Sequence, residues 1–87
     1  MQADKKQIER LVKTARGQLD GILIMVDEDR YCIDISNQLL AAQAVLSKAN
    51  REIIKAHMKS CVKAALESGS GEEKLDELMS IIEKIAK

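Results

Sequence analysis

Apolar residues recur at helical spacing along most of this chain, and they divide it into three segments. The first runs from about residue 4 to residue 27, where a 3.6-residue rhythm of apolar positions predicts a helix. Gly17 and Gly21 interrupt it, and each costs a helix about 1 kcal/mol relative to alanine. We therefore expect both glycines to permit close approach of another helix.

The second segment, 31–67, contains neither glycine nor proline. Nothing in the sequence breaks it, so we predict one continuous helix of about ten turns. Its apolar positions alternate in steps of three and four, which is typical of a coiled-coil-like seam. The seam consists of Ile35, Leu39, Ala42, Leu46, Ala49, Ile53, Ala56 and Ser60.

Two polar stretches separate the helices. The sequence DEDRY, 27–31, predicts a connection after the first helix, and SGSG, 68–71, predicts a short loop after the second. A third helix is then expected over 72–86. Its apolar stripe consists of Leu75, Leu78, Met79, Ile82 and Ile85.

The size and composition of the chain favour an all-α domain that associates. Its 87 residues are enough for one domain, 1–87, and they include no Pro, Trp or Phe and one Tyr. A chain of this size buries only about 60% of its unfolded surface, so oligomers are a common remedy for a thin core. We expect three helices per chain with a long central helix.

The candidate chemistry rests on one histidine and two cysteines. His57 and Cys61 are four residues apart, so they lie one turn apart on the same helix face. Cys32 lies on the same predicted helix, about 37 Å from His57 at 1.5 Å per residue. The three side chains can share an ion only if two chains pack antiparallel about a twofold axis near Leu46, which creates two identical sites in a four-helix bundle.

A set of two cysteines and one histidine favours a soft ion of low coordination number. Cu(I) accepts trigonal geometry, whereas structural Zn(II) prefers four ligands and nickel or cobalt prefers more nitrogen or oxygen donors. The residues alone leave another interpretation open. A histidine and a cysteine at this spacing are often ordinary core or surface residues, and buried free cysteine is common.

Nearly the whole chain resembles the copper-sensing operon repressor family, CsoR, within the CsoR/RcnR group of small all-α bacterial repressors. The resemblance rests on KTARGQLDGI (13–22), YCIDI (31–35), NREII (50–54) and the spacing of Cys32, His57 and Cys61. It implies a dimer of dimers that binds operator DNA without metal and is released when Cu(I) binds. Nickel and cobalt sensors of the group replace the last cysteine by histidine, and persulfide sensors lack the histidine.

The resemblance also implies roles for residues outside the ligand set. Tyr31 and Glu77 match a pair that hydrogen-bonds to the metal-bound histidine. DNA contacts are implied for Lys13, Arg16, Gln18, Lys48 and Arg51, and we add Arg10, because many relatives carry a basic residue where this chain has Leu11. Taken alone, a charged stripe of this kind is usually a solvated helix face, and only the resemblance favours DNA contact.

The remaining expectations concern the cellular compartment, the partners and two alternative functions. Two cysteines and a polar N-terminus favour a reducing cytoplasm, and no apolar run approaches the ~20 residues of a membrane span. No arrangement of catalytic residues predicts an enzyme. A copper chaperone is the expected metal donor. The rivals are a persulfide or redox sensor that uses Cys32 and Cys61, and a copper-buffering protein without a DNA role.

Overall fold

The described residues form three α-helices, as the apolar pattern predicts. The computed structural model describes residues 1–69 and 71–86; Ser70 of the predicted loop and Lys87 at the end of the predicted domain lie outside the described residues. The helices are α1 (Lys5–Asp27), α2 (Cys32–Ser68) and α3 (Gly71–Ala86). Each boundary falls within about one residue of its prediction. Among the described residues, no helix has the length and apolarity needed to cross a membrane.

Local capping signals set the helix ends. The Asp4 carboxylate accepts hydrogen bonds from the backbone N–H groups of Lys6 and Gln7 at 3.0 and 3.5 Å, which satisfies donors that α1 leaves unpaired. Gly69 ends α2 with φ +77°, and its N–H donates to the Ala65 carbonyl at 2.8 Å. A glycine adopts this left-handed conformation without a steric penalty. The SGSG loop is therefore shorter than predicted, because its first and last residues belong to helices.

α1 and α2 form an antiparallel hairpin. The start of α1, around Asp4 and Gln7, lies beside residues 52–59 of α2. Ile8, Ala15 and Ile22 of α1 are buried at seven-residue intervals, and so are Ala42 and Ala49 of α2. This heptad spacing keeps the same face of each helix turned toward its partner. The small alanine side chains let the two backbones approach closely.

The predicted α2 seam divides between two surfaces. Its alanines face α1, whereas Leu39 and Leu46 remain 44% exposed. On α1, Val12, Leu19 and Val26 are likewise 48%, 44% and 53% exposed. On α1 these residues lie four positions after the buried Ile8, Ala15 and Ile22, and on α2 they lie four positions after Ile35 and Ala42. An equal offset on two antiparallel helices lies on one side of the pair. We call these five residues the exposed apolar row.

α3 folds back along the C-terminal half of α2. Leu78 is 3% exposed and anchors this contact, and Ile85 lies beside Ile54 and Met58 of α2. The predicted stripe is only partly buried, since Leu75 and Met79 are 57% and 50% exposed. The reason is that α3 packs on one helix of the chain through a narrow face, which leaves the adjacent apolar positions uncovered.

The two glycines of α1 do not serve a contact within the chain. A Cβ atom built at Gly17 or Gly21 meets no heavy atom within 4 Å beyond its own helix and chain neighbours. The prediction that they admit a neighbouring helix is therefore wrong for the packing within the described chain.

Candidate metal centre and nucleic-acid surface

The long helix α2 places the three predicted ligands at two distant positions. Cys32 is the first residue of α2 and is exposed, whereas His57 and Cys61 lie in its C-terminal half. Because α2 is unbroken, the helix rise separates Cys32 from His57 by about 37 Å. Among residues 1–69 and 71–86 of the single chain, no three His, Cys, Asp or Glu side chains are close enough to hold an ion.

His57 and Cys61 face the region where α3 returns over α2. One helical turn brings their Cβ atoms to roughly 5–6 Å from each other. Cys61 is buried at 7% exposure, while the His57 side chain is 43% exposed. The pair therefore combines a shielded thiol with an accessible imidazole, which leaves one side of the pair open to a further ligand.

Glu77 of α3 lies against the histidine. Its Oε1 is 3.7 Å from His57 Nε2, a distance suited to electrostatic attraction but longer than a hydrogen bond. The buried Leu78 holds this part of α3 on α2 and so presents its neighbour Glu77 to the imidazole. Tyr31, the other expected partner of the histidine, is 65% exposed and lies beside Cys32 at the opposite end of α2.

Lys74 is a residue of this region that the sequence interpretation did not include. Its Nζ is 3.8 Å from Glu77 Oε2, in an i, i+3 pair on α3. The spacing of a lysine and a glutamate on one predicted helix was the available signal. The link to the histidine required knowledge of how α3 packs on α2.

Five of the residues expected to contact DNA are exposed basic side chains on two helices. Arg10, Lys13 and Arg16 are exposed on α1, and Lys48 and Arg51 are exposed on α2. Because the N-terminal half of α1 runs beside the middle and C-terminal half of α2, both groups lie at similar heights along the hairpin. Such a surface suits contacts with a phosphate backbone.

Gln18 differs from the other expected DNA-contact residues. It is half-buried on the α2-facing side of α1, and its Oε1 is buried without a hydrogen-bond partner among the described residues. Its heptad position, three residues after the buried Ala15, explains this orientation. The structure therefore separates Gln18 from the exposed basic residues.

This chain is similar to known transcriptional repressors that respond to metals. A family model described as metal-sensitive transcriptional repressor matches residues 4–84. The copper-sensing transcriptional repressor CsoR of Mycobacterium ulcerans is 44% identical over 81 residues, which cover 91% of this chain and 68% of the relative. CsoR of Bacillus subtilis is 38% identical over 84 residues, which cover 97% of this chain and 83% of the relative.

Two solved structures share the fold over nearly their whole length. The copper-sensing repressor CsoR with Cu(I) from Geobacillus thermodenitrificans has a TM-score of 0.82 and 39% identity, with 100% of this chain and 94% of that chain covered. The nickel-responsive regulator InrS has a TM-score of 0.83 and 26% identity, with 98% and 96% covered.

The residues matched by the family model, 4–84, span α1, α2 and nearly all of α3. The matched family comprises repressors of transcription, which confirms the expectation of a regulator rather than an enzyme and implies DNA binding by an oligomer. The chain belongs to the family of metal-sensitive transcriptional repressors.

Proposed function

We propose that this protein is a Cu(I)-responsive transcriptional repressor. In the proposal, the metal-free assembly binds operator DNA, and Cu(I) binding to Cys32 of one chain with His57 and Cys61 of another lowers its DNA affinity. The observation that carries the proposal is the continuity of α2 from Cys32 to Ser68. An unbroken helix keeps Cys32 far from the His57–Cys61 pair of its own chain, so a complete site requires two chains.

The donor set favours copper over the other metals of such sensors. The fold is shared with both a copper and a nickel regulator, so the fold alone does not decide the metal. Two thiolates and one imidazole suit trigonal Cu(I), whereas nickel prefers more nitrogen or oxygen donors. His57 is the only histidine of the chain, which limits each site to one imidazole.

The exposed apolar row provides the surface for the antiparallel dimer. A twofold axis near Leu46 places the row of one chain against the row of the other and builds a four-helix bundle. The same operation brings Cys32 and Tyr31 of each chain to the His57 end of its partner. Two such dimers form the proposed dimer of dimers.

α3 connects the copper site to the rest of the assembly. With Glu77 on the Nε2 side of His57, Nδ1 is the nitrogen that remains for the metal. A carboxylate beside a ligand histidine orients the ring and fixes its tautomer. Because Glu77 belongs to α3, a change at the imidazole is transmitted to the packing of α3 on α2, and this packing is the proposed route to the DNA surface.

The proposed DNA surface consists of the exposed basic residues Arg10, Lys13, Arg16, Lys48 and Arg51. Four copies in a tetramer multiply the phosphate contacts, so operator binding falls steeply with salt concentration. Gln18 is left out of this surface because its Oε1 is buried. We further propose that the repressor acts in the cytoplasm and receives Cu(I) from a copper chaperone.

Fluorescence anisotropy on labelled operator DNA, measured with and without Cu(I), tests the function. We expect Cu(I) to weaken DNA binding, and DNA to weaken Cu(I) binding by the same factor, typically 1–3 kcal/mol in free energy. Equal copper affinity with and without DNA refutes the proposed regulation. A His57→Ala variant that still responds through an intersubunit disulfide or polysulfide instead supports the thiol-sensing rival.

A further inference from the structure

One carboxylate at the candidate site has two partners. Oε1 of Glu77 lies 3.7 Å from His57 Nε2, and Oε2 of the same carboxylate lies 3.8 Å from Lys74 Nζ. The carboxylate therefore lies between the imidazole of His57 and the ammonium group of Lys74, with one oxygen near each. Glu77 is 48% exposed at its side chain, so nothing in its burial alone prevents the carboxylate from rotating toward solvent.

Lys74 is half-exposed and lies beside apolar side chains of α2 and α3. Its side chain is 45% exposed, and it lines an apolar pocket of about 200 Å³ together with Val62, Leu66 and Leu78. A lysine commonly buries its aliphatic stem while its ammonium group stays at the surface. The stem lies along this apolar surface, and the ammonium group is 3.8 Å from the Glu77 carboxylate three residues along the same helix.

We propose that Lys74 is a positioning residue of the copper response, holding the Glu77 carboxylate against His57. The inference rests on the proposed function, since it assigns a role within the same site. Without the ammonium group, Glu77 samples solvent-facing rotamers and spends less time beside the imidazole. The histidine then loses its preferred orientation, and α3 loses part of its connection to the ligand.

The contact can be tested in the metal-free protein. Its imidazole signals need no assignment because His57 is the only histidine in the sequence. Long-range ¹H–¹⁵N correlation of the imidazole in the metal-free protein, at mildly alkaline pH, reports the ratio of the two neutral tautomers. We expect the Nε2–H tautomer to dominate in the wild type. Lys74→Met keeps most of the apolar stem and should reduce the tautomer ratio by about 1.4- to fivefold, the range for an exposed ion pair of about 0.2–1 kcal/mol.

Two further variants separate positioning from a general effect of charge or stability. Lys84→Met removes an exposed lysine from the last turn of the same helix and should leave the tautomer ratio unchanged. Lys74→Arg should retain most of the wild-type ratio because it keeps the charge. An unchanged ratio in Lys74→Met, or an equal change in Lys84→Met, overturns the assignment.

The coupling between copper and operator DNA provides the second measurement. Lys74→Met should reduce the factor by which DNA weakens Cu(I) binding by about two- to fivefold, and should have no additional effect in a Glu77→Gln background. Additive effects, or a larger coupling factor in Lys74→Met, contradict the positioning role. If wild-type protein shows no coupling at all, the proposed function fails, while the tautomer measurement still decides whether Lys74 positions Glu77.

Discussion

The exposed apolar row makes Leu46 the most informative position for the dimer. Leu46 is 44% exposed in the single chain and lies next to the proposed twofold axis, so its two copies meet each other. Complete burial of a leucine side chain contributes about 1.5–3 kcal/mol, so covering the exposed fraction contributes roughly 0.7–1.3 kcal/mol per copy. Two copies give roughly 1.3–2.6 kcal/mol, and Leu46→Ala should weaken the dimer about 10- to 80-fold.

Sedimentation equilibrium across a range of protein concentrations measures this change. Leu66→Ala is the matched control, because Leu66 is 83% exposed and lies on α2 outside the exposed apolar row. We expect the control to dissociate like the wild type. The reasoning is refuted if Leu46→Ala leaves the dimer dissociation constant unchanged, or if the control weakens the dimer to the same extent.

Three further predictions concern separate parts of the account. Glu77→Gln should lower the copper–DNA coupling factor by about 1.4- to fivefold in chelator-competition titrations, as expected for an exposed charge pair of about 0.2–1 kcal/mol, and should retain a sulfur- and nitrogen-ligated X-ray absorption spectrum. Neutralising Lys48 or Arg51 should reduce the salt slope of operator binding by about one per lost phosphate contact and leave Cu(I) affinity unchanged; an unaltered slope excludes that residue from the interface. Gly69→Ala should lower the free energy of unfolding by about 1 kcal/mol in thermal melts because φ is +77°, whereas Gly17→Ala, in open space on a helix, should not destabilise the protein.

The helices were predictable because each signal for them is local. The 3.6-residue rhythm, the absence of breakers in α2 and the glycine after it all act within a few residues of one another. The separation of Cys32 from His57 within one chain was predictable for the same reason, because the rise of one unbroken helix fixes it. Predictions of this kind depend little on how the helices pack.

The side chains that depend on packing were less predictable. Leu39 and Ala42 belong to the same apolar seam of the sequence, yet one is half-exposed and the other is buried against α1. Gln18 carries a polar side chain, but its heptad position turns it toward α2. The i, i+3 spacing of Lys74 and Glu77 is visible in the sequence. Their position beside His57 depends on how α3 packs on α2, which no periodicity within α3 specifies.

The central claim is that each copper site is built from two chains, and subunit mixing tests it most directly. A Cys32→Ala chain and a His57→Ala chain each lack a complete ligand set in their own dimers. In a mixed dimer, Cys32 of one chain meets His57 and Cys61 of the other, so one of the two sites is restored. Random exchange makes half of the dimers mixed, which predicts about one quarter of the wild-type number of sites.

Cu(I) binding is measured against a tight chelator that removes copper from incomplete sites, before and after the two variants are refolded together. The account predicts no competitive binding by either variant alone and recovery of about one quarter of the sites after mixing, with a three-coordinate shell of two sulfurs and one nitrogen. No recovery after mixing, or full three-coordinate binding by either variant alone, contradicts the intersubunit site.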